Sequence, residues 1–161
     1  MKRIFFYILS FVCVLACEAQ SLPNAKVQTH VGKSIETISW IDNETPFIVS
    51  FWSTTCKPCL KELDTLSENF EDWNDETPFR VIAVSIDDSR SLARAKALAS
   101  GRGWDLFEIV YDVNSDFKRM MNVSMVPHVF VFNKEGKQIY THMGYKPGDE
   151  EELFKIIKDL K

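Results

Sequence analysis

The chain has 161 residues, 45% of them hydrophobic and 26% charged, which suits one domain with a full apolar core. Lysine and arginine together number 19 against 23 aspartates and glutamates, for a net charge of −4. No basic patch accompanies that balance, so a nucleic-acid partner is not expected.

The N-terminus carries Lys2 and Arg3, then the apolar run Ile4 to Ala16, then small residues. Residues 1–19 therefore read as a secretory signal, too short and too close to the start to span a bilayer comfortably. The expected location is the periplasm or cell envelope of a bacterium. Two processing routes stay open. Val14-Leu15-Ala16-Cys17 is a loose lipoprotein signal that would leave Cys17 acylated, giving a membrane contact through a lipid anchor; Cys17-Glu18-Ala19 before Gln20 suits ordinary signal peptidase. Of four cysteines, Cys13 leaves with the signal and Cys17 is removed or acylated. Cys56 and Cys59 remain, and one close pair in an exported chain points to redox chemistry rather than a disulfide framework.

Residues 20–30 read as a polar connector and 31–161 as the folded domain. Val31-Gly32, Ile35, Ile38 and Trp40 suggest a short strand with a turn, closed by Asp42 to Pro46. Phe47 to Trp52 is an apolar, β-branched run of the kind covered on both faces of a sheet. Ser53-Thr54-Thr55 ends it. Leu60, Leu63, Leu66 and Phe70 then form one helical stripe, so a helix begins near Cys56 with Thr54 or Thr55 as N-cap and Pro58 in its first turn. A second buried strand, Phe79 to Ile86, completes a βαβ unit. Asp87-Asp88-Ser89 opens a helix to Ser100, the acidic pair being a first-turn feature rather than a metal pair. Leu106 to Tyr111 is a strand, and a short helix from Asn114 or Ser115 to Met121 follows, with Phe117, Met120 and Met121 as packing residues. Asn122 to Phe132 and Lys137 to Met143 flank a glycine-containing turn and form a hairpin. Asp149 caps a final helix with Leu153, Ile156, Ile157 and Leu160 on one stripe.

The chemistry concentrates at Cys56 to Glu62. A thiolate is the nucleophile, and the positive end of a helix lowers a thiol's pKa, with Lys57 adding a neighbouring cation. Cys56, at the strand-to-helix corner, is the expected attacking sulfur; Cys59, one turn deeper, can resolve the mixed disulfide. Glu62, three residues after Cys59, has two readings: a desolvated carboxyl that passes protons to and from Cys59, or a solvated residue paired with a lysine. Pro127 on spacing alone is a strand-edge proline. His128 reads as a packed strand-start residue, with a titrating role near the sulfurs as its alternative.

Phe51-Trp52-x-x-x-Cys56-x-Pro58-Cys59, behind a hydrophobic strand, resembles the active-site segment of thioredoxin-fold proteins, and Glu62 matches the glutamate of TlpA/ResA-like extracytoplasmic thiol-disulfide oxidoreductases. The similarity runs from about Val31 to the C-terminus. It implies an α/β, thioredoxin-like fold: a central mixed β-sheet flanked by helices, with an inserted central αβ unit. It further implies that Val126-Pro127 is a cis-proline element lying against the cysteines and that the Val126 backbone and Trp52 meet substrate. Lys57 and Pro58 are expected to modulate the pair, as is His128 in its titrating reading, although His128 departs from the threonine common after that proline. Ser50 stands where thioredoxin has a buried aspartate, leaving Glu62 the one carboxyl for that task, and Thr55 replaces the usual aromatic residue before the first cysteine. The implied activity is reduction of protein disulfides in the envelope, in cytochrome c maturation or disulfide repair, with a membrane protein as electron donor. No metal or cofactor is expected beyond the Cys56-Cys59 pair. Two alternatives carry specific residues. A peroxiredoxin-type thiol peroxidase would use Ser53, three before Cys56, but has Val49 where it needs proline; a metal-binding carrier module would use Cys-x-x-Cys, which is half of a zinc site.

Overall fold

All six residues of Phe47–Trp52 are buried, because this strand sits inside a sheet covered on both faces. The computed structural model describes residues 20–160, so the expectations for a signal and for Cys17 lie outside the described residues. In chain order the elements are β1 (Lys26–Thr29), β2 (Ser34–Glu36), a 3-10 turn (Thr37–Trp40), β3 (Phe47–Trp52), α1 (Lys57–Glu76), β4 (Arg80–Ser85), α2 (Leu92–Gly101), β5 (Glu108–Tyr111), α3 (Asp116–Met120), β6 (His128–Phe132), β7 (Gln138–Met143) and α4 (Asp149–Lys158). The sheet order is β2-β1-β5-β4-β3-β6-β7. β3 runs parallel to β4, and β4 to β5, while β6, β7 and the β1–β2 hairpin are antiparallel to their neighbours. This is the expected mixed sheet, and α2 with β5 is the inserted αβ unit.

Alternation along the strands sorts the core into two layers. Ile48 and Trp52 of β3, Val81 and Ala83 of β4, and Val129 and Val131 of β6 face the layer that holds Cys59, Leu63 and Leu66 of α1 together with Leu153 and Ile157 of α4. Phe47, Val49 and Phe51, Ile82 and Val84, and Phe130 and Phe132 face the other layer, closed by Phe117, Trp40 and Val27. Phe117 meets Phe51 at 5.2 Å and Trp40 at 5.5 Å between ring centroids.

Several boundaries differ from the sequence expectation. The supposed polar connector supplies β1, with Leu22, Ala25 and Val27 buried. The N-cap of α1 is Cys56 itself, not Thr54 or Thr55. Asp87 and Asp88 precede α2 by several residues, and Asp87 is buried in contacts of its own. Leu106 lies outside β5, and residues 122–127 form a loop rather than strand. Met120, expected to pack, is exposed. Gly148, at φ 104°, caps α4 in a left-handed conformation that disfavours any side chain, which displaces Asp149 to the first helical position.

The short α3 should therefore tolerate change very unevenly. Phe117→Ala is expected to cost about 3–5 kcal/mol in urea unfolding, whereas Met120→Ala should stay within about 0.5 kcal/mol.

Candidate functional site

The redox pair forms where the buried strand hands over to the helix. β3 ends at Trp52, the chain turns through Ser53-Thr54-Thr55, and α1 starts at Lys57 with Pro58 in its first turn, where a missing N–H is harmless. Cys56 and Cys59 are joined in a disulfide with their Cα atoms 5.3 Å apart. Cys56 is partly exposed and Cys59 fully buried. The Cys59 amide donates to Cys56 Sγ at 3.2 Å, so the sulfur occupies the place an N-cap oxygen usually takes. After reduction that amide and the helix dipole would favour the Cys56 thiolate. Lys57 and Pro58 are exposed beside it.

Glu62 is fully buried, which rules out the solvated reading. Its Oε2 accepts the Ser50 hydroxyl at 2.9 Å, and its Oε1 has no partner. Desolvation pushes its pKa up to about 8; the Ser50 hydrogen bond works against that shift, and the negative charges of Asp149 and Glu150 add to it. The carboxyl thus keeps its proton at neutral pH. Three residues from Cys59 on one helix, it lies on nearly the same face as the buried sulfur. Ser50 went unassigned as a partner from sequence, although a lone hydroxyl in Phe-Ile-Val-Ser-Phe-Trp was its signal.

The Val126-Pro127 peptide is cis. Val126, half-buried, packs against both core layers, one of which includes Cys59 with Cys56 packed against it. The Pro127 carbonyl accepts the Gly144 amide at 2.9 Å, which pins the loop to the end of β7. Met125, just before it, is 58% exposed.

Two expected site residues sit elsewhere. Trp52, expected to meet substrate, is fully buried and packs edge-on against Trp104 at 5.2 Å between centroids, so it supports the turn from beneath. His128 is buried on the opposite side of the sheet from Cys59: it alternates with Val129 and stacks on Phe130 at 4.3 Å. Its Nε2 lies 3.0 Å from Thr141 Oγ1, which also donates to the Val129 carbonyl at 3.1 Å. Nδ1 is buried without a partner. Desolvation, then the charge of His142, holds the His128 pKa below the usual histidine value, and the packed reading stands.

Residues 43–138 match the family described as Thioredoxin-like. The thiol-disulfide oxidoreductase ResA of Bacillus subtilis is 26% identical over 122 residues, covering 76% of this chain and 65% of that protein. The solution structure of an uncharacterized thioredoxin-like protein from Porphyromonas gingivalis is 45% identical, with a TM-score of 0.77 over 89% of this chain and 92% of that one. A putative thiol:disulfide interchange protein DsbE from Chlorobium tepidum shares the fold, with a TM-score of 0.76 at 20% identity over 89% of this chain and 98% of that one.

The burial of Glu62 has a measurable consequence. The unfolded chain releases this proton near 4.5 and the folded protein near 8, so the folded state binds more protons between those values. Its contribution is most favourable below 4.5 and is lost as the pH rises toward 8, with a slope of at most about 1.4 kcal/mol per pH unit. Glu62→Gln, neutral throughout, should remove that decline when urea midpoints of the oxidised protein are compared across the range. Parallel pH curves for the two proteins would mean that the carboxyl is ionised when folded.

Proposed function

The chain belongs to the thioredoxin-like family, and from that premise we propose that it is a thiol-disulfide oxidoreductase that reduces protein disulfides outside the cytoplasm. The disulfide at the N-terminus of α1, with its outer sulfur capping the helix, is the observation that carries this reading.

In the reduced protein the Cys56 thiolate attacks one sulfur of a substrate disulfide. A mixed disulfide forms, and the substrate's other sulfur leaves as a thiolate. Cys59 gives up its proton and attacks Cys56 Sγ, which closes the Cys56-Cys59 disulfide and releases the second substrate sulfur. Two electrons have passed from the pair to the substrate. A donor dithiol then reverses the sequence, and Cys59 leaves as a thiolate that must be protonated. Glu62, holding its proton near neutral pH, supplies it and takes one back in the next cycle. The cis-proline loop offers the backbone of Val126 to an extended substrate segment, a strand-addition mode.

The setting follows from the N-terminal sequence, where Lys2, Arg3 and the apolar run support export, and Val14-Leu15-Ala16-Cys17 supports an anchored form acylated at Cys17. No helix among the described residues is long and apolar enough to cross a membrane. An exported reductase draws its electrons from a donor across the membrane, and cytochrome c maturation or repair of wrongly paired disulfides would use it. Relatives named thiol-disulfide oxidoreductase ResA support the exchange chemistry itself.

Two measurements test the reading. The equilibrium potential of the Cys56-Cys59 pair, titrated against a dithiothreitol or glutathione buffer, is expected near or below about −270 mV; a value near about −120 mV would make the protein an oxidant. Cys59→Ser should accumulate a mixed disulfide through Cys56 with a disulfide-bonded protein substrate, because the resolving sulfur is gone. A variant that leaves every substrate disulfide intact and uncaptured would remove Cys56 from its role as nucleophile.

A further inference from the structure

The turn that delivers Cys56 is held from the side by a polar cluster with no part in the sulfur chemistry. Asp87 lies just past β4 and is 8% exposed. Its Oδ2 accepts the Thr54 amide at 2.9 Å and the Ser85 hydroxyl at 2.9 Å, and its Oδ1 accepts the Thr54 hydroxyl at 2.8 Å. Having donated that hydrogen, Thr54 Oγ1 accepts from Arg94, through Nε at 3.2 Å and Nη2 at 2.5 Å. Two backbone bonds complete the frame: the Ile86 amide donates to the Trp52 carbonyl at 2.9 Å, and the Cys56 amide to the Ser53 carbonyl at 3.1 Å.

Moving a carboxylate out of water costs several kcal/mol unless donors replace its hydration, and Asp87 has three. An apolar side chain often serves stability equally well at such a place. What the charged group adds is direction. It fixes both the amide and the hydroxyl of Thr54, two residues before Cys56, and the guanidinium locks that hydroxyl from its far side. Asp87 comes from the β4–α2 segment and Arg94 from the first turn of α2, so the inserted αβ unit and the segment leading into it reach the redox turn through one residue, Thr54, by its amide and its hydroxyl.

We propose that Asp87 and Arg94 are positioning residues for this turn, acting through Thr54 to hold Cys56 Sγ against the amide at the N-terminus of α1. The proposal rests on the reading of Cys56 as the attacking sulfur. Loosening the turn weakens the hydrogen bond from the Cys59 amide and raises the pH at which Cys56 ionises.

The test is the pH profile of Cys56 alkylation by iodoacetamide in the reduced protein, with melting temperature recorded alongside. Thr54→Val removes the relay without changing charge. It is expected to slow alkylation at neutral pH on the order of tenfold, the effect of losing one charge-assisted hydrogen bond, and to move the midpoint upward. Thr54→Ser restores the hydroxyl and should recover the wild-type profile. Arg94→Ala, at an exposed position, should shift the profile in the same direction by a smaller factor and keeps the test decisive if Thr54→Val folds poorly. Wild-type profiles in folded Thr54→Val and Arg94→Ala would overturn the proposal. Failure of the proposed function has a different signature: wild-type protein whose reduced Cys56 alkylates readily yet never exchanges with a protein disulfide.

Discussion

A sulfur capping a helix is the interaction on which the rest of this structure depends. The first amides of α1 have no partner inside the helix, and one of them donates to Cys56 Sγ rather than to an oxygen. The arrangement requires α1 to begin one residue after Cys56, which in turn requires β3 to end at Trp52 and the chain to turn within three residues. The parallel pairing of β3 with β4 and its antiparallel pairing with β6 bury that strand completely, so its end point cannot slide without moving an entire row of side chains between layers. The turn that carries the partly exposed sulfur thus starts from a strand buried on both faces.

The Glu62 carboxyl is buried at an electrostatic cost that favours its protonated form. Glu62 could be matched by a lysine or a second donor, but it has only the Ser50 hydroxyl and one bare oxygen. With a lone neutral donor and two carboxylates acting from α4, the neutral acid is the stable form. Asp87, also buried, is treated in the opposite way, with three donors directed at its oxygens. Two buried carboxyls therefore differ in what surrounds them: Glu62 has one neutral donor, and Asp87 has three donors, two of them from Thr54.

The periodic features were legible in the chain because they depend on near neighbours. The apolar run of β3, the stripe of α1, the hairpin of β6 and β7 and the acidic start of α4 can each be read from spacing, and the Cys-x-Pro-Cys segment with Glu62 placed the redox pair. β1 escaped notice because Val27 is the one buried residue among its four, too little for periodicity to show. Met120 looked like its neighbour Met121, yet a helix of five residues buries only the side facing Trp40 and Phe51.

The amino-acid sequence by itself determined the order of the elements from β3 onward, the family resemblance and the position of the cysteine pair, since these follow from residue type and from separations of a few positions. Only the tertiary structure decided the state of Glu62, the face on which His128 lies, the burial of Trp52 and the joining of Asp87 and Arg94 to Thr54. Each of these depends on atoms far apart in the chain: Ser50 and α4 around Glu62, the register of β6 beneath His128, Trp104 against Trp52, and the ends of β4 and α2 beside the redox turn. Desolvation and hydrogen-bond geometry are properties of an enclosure, and no local spacing rule specifies what encloses a residue.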